Sequence, residues 1–130
     1  MTTQRRRPLT LLAVAMSATI MPLSTAHAGD GDVERRGSCS GSTSGKLKAG
    51  PEDGRIEVEG EVDSNVDGQV WKWRLRHNGD RVARGKRTTQ PPSGSFEVRR
   101  VLVNAGGTDT LVFRARNPRT DEVCRGVLRY

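Results

Sequence analysis

Residues 55–62 run Arg-Ile-Glu-Val-Glu-Gly-Glu-Val, and that alternation constrains the backbone more than anything else in the chain. Ile56, Val58 and Val62 fall on one side of an extended segment, and Glu57, Glu59 and Glu61 on the other. A period of two is a strand with one buried face; a helix would scatter the same residues around its circumference. Residues 69–77 repeat the pattern, with Trp71, Trp73 and Leu75 set against Lys72, Arg74 and Arg76. Asn78-Gly79 follows at once. Both central residues of a type I′ turn need positive φ, which Asn and Gly tolerate, so the pair predicts a tight hairpin into a return strand over 81–89.

Other segments follow suit. Lys46-Leu47-Lys48-Ala49 leads into the turn signature Pro51-Glu52-Asp53-Gly54. Phe96, Val98 and Leu102 mark a strand after the Pro91-Pro92 loop, Leu111, Phe113 and Ala115 another, and residues 123–130 a last one after Asn117-Pro118. No 3.6-residue apolar period persists beyond residue 28. Seven or eight short strands, with turn signals about every 8–12 residues, predict an all-β, immunoglobulin-like antiparallel β-sandwich over 38–130. An open barrel is the second arrangement. Residues 29–37 are polar and read as a flexible N-terminal arm.

The first 28 residues have a different character. Arg5, Arg6 and Arg7 form a positive head, residues 9–20 an apolar run, and Ala26-His27-Ala28 a small-residue cleavage site. This is the layout of a secretory signal peptide, and the apolar run is shorter than the roughly 20 residues a membrane span needs. Arg6-Arg7-Pro8-Leu9 also loosely matches a twin-arginine signal. The expected product is a secreted, extracellular protein with no transmembrane segment, cleaved near Ala28.

In that setting two cysteines, Cys39 and Cys124, read as one disulfide. The loop it closes exceeds 80 residues, worth about 4.5 kcal/mol in the chain-entropy model. Only 33% of the chain is hydrophobic, so the core is thin and such a crosslink matters. Charge is unevenly spread. Residues 29–67 hold ten acidic and five basic side chains, net −5, whereas residues 68–130 hold five acidic and fourteen basic, net +9.

Cys39 after Arg36-Gly37-Ser38, the segments Asp53-Gly54-Arg55-Ile56-Glu57-Val58, Val62-Asp63-Ser64-Asn65 and Ser93-Gly94-Ser95-Phe96, and Cys124-Arg125-Gly126 together resemble a group of small secreted single-domain proteins of actinobacteria. The resemblance spans residues 35–130. It implies the immunoglobulin-like fold, the single disulfide and export, and no assigned activity.

Catalytic signatures are missing. There is no GxSxG, HExxH, P-loop or dinucleotide fingerprint, so no cofactor is expected. His77 beside the turn reads as solvated, and the three glutamates as an outward stripe rather than a facing pair across a cleft. Asp63-Ser64-Asn65-Val66-Asp67-Gly68 opens like a calcium loop, but position twelve is Arg74 where a bidentate Glu belongs. Turn chemistry explains it better, and no metal site is assigned.

The remaining signal is the Trp/Arg hairpin. A plain two-residue loop pairs Arg76 with Arg81, Leu75 with Val82, Trp73 with Arg84 and Trp71 with Lys86. That register offers cation–π pairs on one face and a ladder of Lys72, Arg74, Arg76, Arg81 and Arg87 on the other. One reading is a binding surface made of Trp71, Lys72, Trp73, Arg74, Arg76, Arg81, Arg84, Lys86 and Arg87 for anionic polymers. Teichoic acids, acidic polysaccharide, extracellular nucleic acid or an anionic membrane surface fit it. The plainer reading buries both tryptophans in the core and leaves the arginines in water. The sequence thus points to a non-enzymatic extracellular binding module. The alternative is an inhibitor of a protein partner acting through the loop at Ser93-Gly94 or at residues 104–108.

Overall fold

The computed structural model describes residues 31–130, so the expected signal peptide lies outside the described residues. Eight strands form: β1 (Val33–Cys39), β2 (Ser44–Glu52), β3 (Arg55–Asp63), β4 (Val70–His77), β5 (Asp80–Thr88), β6 (Ser95–Leu102), β7 (Thr110–Arg116) and β8 (Val123–Arg129). All neighbouring pairs are antiparallel, in the order β5-β4-β7-β8-β1-β2-β3-β6. Among the described residues, no helix is long and apolar enough to cross a membrane.

This order corrects the expected immunoglobulin-like sandwich. A sandwich splits its strands between two sheets that share no ladder. Here β1 hydrogen-bonds to both neighbours, pairing Val33 through Gly37 with β2, then Ser38 and Cys39 with β8. The change of partner begins after Gly37, where a Cβ would stand 3.1 Å from the Arg125 carbonyl oxygen. One continuous sheet results, and its edge strands β5 and β6 approach each other to leave a nearly closed barrel. Both architectures demand the same alternation along each strand, so periodicity alone does not separate them. The arm expected over 29–37 is corrected too: from Val33 onward it is strand.

Inside lie Leu47, Ile56, Val58, Val62, Trp71, Trp73, Leu75, Phe96, Val98, Leu111, Phe113 and Leu128, all buried. Small residues make room for large ones. A Cβ on Gly60 would fall 2.7 Å from the Phe113 ring, and Phe113 in turn stacks on Trp73 with centroids 6.3 Å apart. Cys39 and Cys124 sit directly opposite each other on β1 and β8 and are joined as a disulfide.

Candidate functional site

The hairpin between β4 and β5 turns where the sequence places it, with φ of 49° at Asn78 and 89° at Gly79. His77 pairs with Asp80 and Arg76 with Arg81, as the plain register requires. Then β5 bulges. Val82 is skipped, and from there Leu75 faces Ala83, Arg74 faces Arg84, Trp73 faces Gly85, Lys72 faces Lys86 and Trp71 faces Arg87. A one-residue insertion moves every later side chain to the opposite face. It corrects the expected pairs Trp73–Arg84 and Trp71–Lys86. Arg84 and Lys86 now share the outer face with Lys72 and Arg74, and Arg87 takes the phase of the tryptophans.

Trp71 and Trp73 belong to the core at 0% and 4% exposure, so neither forms part of an exposed surface. Trp73 does have a cation over its ring. The guanidinium of Arg100 on β6 lies 5.0 Å from the centroid, a partner that the sequence pattern did not reveal. Gly85 lies against the same indole, where a Cβ would be 3.0 Å from the ring.

Outside the barrel, the hairpin cations acquire neighbours. Arg74 faces Arg114 on β7, Arg114 faces Arg125 on β8, and Lys72 faces Arg116. Together with the Arg74–Arg84 pair, this places Arg84, Arg74, Arg114 and Arg125 in one row across four strands. No outward position on β5, β4, β7 or β8 carries an acidic side chain. Arg116 is paired with Asp121 of the following loop, and Arg76 donates to the Gly79 carbonyl. Burial, and then the positive charges of Arg74 and Arg116, push the half-buried Arg114 guanidinium below its ordinary value. An arginine nevertheless stays charged at any physiological pH.

Sequence reasoning missed Arg114, Arg116 and Arg125. The signal was present in the alternation of Leu111-Val112-Phe113-Arg114-Ala115-Arg116, but only the sheet order shows which wall those arginines join.

The opposite wall is built differently. Glu57, Glu59 and Glu61 do face outward from β3, but as partners rather than as a solvated stripe. Lys46 reaches Glu61 at 2.9 Å, Lys48 reaches Glu59 at 3.4 Å, and Arg99 bridges Glu57 and Glu59 at 3.4 and 2.5 Å. Burial would raise Glu59, but the Arg99 hydrogen bond and the Lys48 charge outweigh it and hold the carboxyl below its ordinary range.

His77 is also not solvated. Its ring, 11% exposed, donates from Nε2 to Oδ1 of the buried Asp109 at 2.5 Å. Asn78 Nδ2 donates to the same oxygen, and the Thr110 amide donates to Asn78 Oδ1, which ties the hairpin tip to β7. Two side-chain oxygens of the Asp63-to-Gly68 stretch are engaged in local hydrogen bonds. Asp63 Oδ1 accepts from the Asn65 amide, and the Ser64 hydroxyl shares its one proton between the Val66 and Gly94 carbonyls, each 3.1 Å away. Gly94 is thereby pinned beneath this loop, with no room for a Cβ within 2.3 Å of the Val66 amide nitrogen.

No family model, no curated protein and no solved structure matches the chain. The resemblance to small secreted actinobacterial proteins is corrected accordingly. What stands is an all-β domain with one disulfide, defined by its own barrel and its two unlike walls.

Proposed function

We propose that this is a small, exported, non-enzymatic binding domain whose outer wall of β5, β4, β7 and β8 engages anionic polymers. One observation carries the reading: the row Arg84–Arg74–Arg114–Arg125 sets like charges directly opposite one another without an acidic partner. Such pairs disfavour the free fold, and a polyanion lying across them relieves the repulsion while releasing its counterions. The contrast with the paired wall of β2, β3 and β6 supports the same view, because this barrel neutralises charged strands elsewhere.

The test is retention of the purified protein on heparin, DNA and cell-wall material through a salt gradient. A variant with Lys72, Arg74 and Arg76 all changed to Gln runs alongside. Retention that falls steeply with salt, and falls further in the variant, supports the wall as the site. Elution no later than an unrelated domain of equal net charge sinks it.

A further inference from the structure

The basic wall is not uniform, and its centre differs from its margins. Arg81, Arg84 and Lys86 stand on an edge strand, where long side chains are free to swing into water. Arg114 stands on β7, enclosed between β4 and β8, and is half-buried. Among the described residues, nothing accepts a hydrogen bond from the guanidinium of Arg74, Arg114 or Arg125, and the charges nearest Arg114 are all repulsive. A hollow of about 150 Å³ lies on one side of the Arg74–Arg114 pair and is completed by Arg76, Val112 and Arg125. A second, of about 210 Å³, lies on the other side and is completed by Lys72, Arg84 and Arg116 among others.

We propose that Arg114, with Arg74 and Arg125 on the flanking strands, forms a discrete site for one tetrahedral oxyanion, a phosphoryl or sulfate group carried on an anionic chain. The inference rests on the wall being the binding surface and names the group that anchors there. Opposed residues in a sheet start from Cβ atoms about 5 Å apart, so guanidinium forks from adjacent strands can bracket a single phosphoryl group from two sides. Arginine suits this task better than lysine, because its planar fork donates two parallel hydrogen bonds to an oxyanion. The aromatic residue at the second hollow, Trp73, is only 4% exposed, and the first hollow has none, so neither offers an open ring face for a base to stack on. The charged group is read, whatever the chain bears between its charges.

The experiment follows arginine side-chain NMR signals of the purified protein. It is titrated separately with inorganic phosphate, dimethyl phosphate, inorganic sulfate and acetate, at ionic strength held constant with chloride. Saturable one-site binding of a phosphate or sulfate probe is expected, at least tenfold weaker in Arg114→Gln and only partly restored in Arg114→Lys. Preference among the three tetrahedral probes tells a phosphomonoester, a phosphodiester and a sulfate ester apart. Arg35→Gln removes an equal charge elsewhere and should leave binding unchanged. A response that does not saturate, that acetate matches, or that Arg35→Gln weakens as much as Arg114→Gln overturns the site. Should Arg114→Gln not fold, Arg74→Gln takes its place with the same expected loss. Salt-gradient retention of the same proteins separates the two ideas. Retention without saturable oxyanion binding overturns the anchor and leaves the wall, whereas loss of both overturns both.

Discussion

Gly60 and Phe113 meet where there is no space for a methyl group, since a Cβ on Gly60 would approach three atoms of the ring within 2.8 Å. Phe113 is held in turn by Trp73, so the clash has no cheap exit. Gly60→Ala should destabilise the fold by about 1–3 kcal/mol, the usual range for overpacking, read as a lower urea midpoint at unchanged slope. Asp109 is the other residue whose surroundings fix its behaviour. The hydrogen bond from His77 holds its carboxyl below the ordinary range, against the opposing effect of burial. The folded state therefore binds fewer protons than the unfolded chain near the unfolded value of about 4. Stability from this carboxylate is fully present above that pH, and is lost as pH falls through the lower folded value. Urea titrations at pH 7, 4 and 3 should show a shallower acid dependence in Asp109→Asn than in the parent. An identical pH dependence would mean that His77 does not favour the ionised form.

At the scale of elements, the bulge at Val82 decides which face of β5 is charged. Deleting Val82 removes the extra residue and makes the ladder regular, leaving Leu75 opposite Ala83, Arg74 opposite Arg84 and Lys72 opposite Lys86, so each cation keeps its face. The deletion should therefore fold with the near-ultraviolet circular dichroism of the buried tryptophans unchanged; loss of that signal would show that β5 pairs in another register. Seven strands were legible from alternation and turn residues, from β2 through β8, and the Asn78-Gly79 turn was legible in detail. The missing strand, β1, carries Glu34-Arg35-Arg36 and makes no apolar alternation, because its pairing rather than its side chains holds it in the sheet. The bulge left no mark either: Arg81-Val82-Ala83-Arg84 reads equally well in both registers. The hairpin cations were recognised as basic, but their partners on β7 and β8 depend on long-range pairing that no local pattern reports.

For the whole molecule, the disulfide and the two walls set the terms. Cys39 and Cys124 are 85 residues apart, so reduction should cost about 4.5 kcal/mol by the loop-entropy argument. Parallel urea melts with and without reductant measure it, and a loss below about 1 kcal/mol would mean that the sheet closes without help. The acid-rich β3 and the basic wall also account for the opposed net charges of the two halves of the sequence, since β1, β2 and β3 come from the first half and the basic wall from the second.

The place of β1 between β2 and β8 also has a consequence in time. The first strand described takes its final neighbour from the last one, so the sheet stays in two pieces, β5-β4-β7 and β1-β2-β3-β6, until the chain has emerged through β8. Contacts this distant along the chain make for slow folding, on the order of milliseconds to seconds. Until then Cys39 waits as a lone thiol with no native mate. The order of synthesis thus assigns a hazard to the growing chain: any other thiol that meets Cys39 before Cys124 arrives competes for the bond that ties β1 to β8.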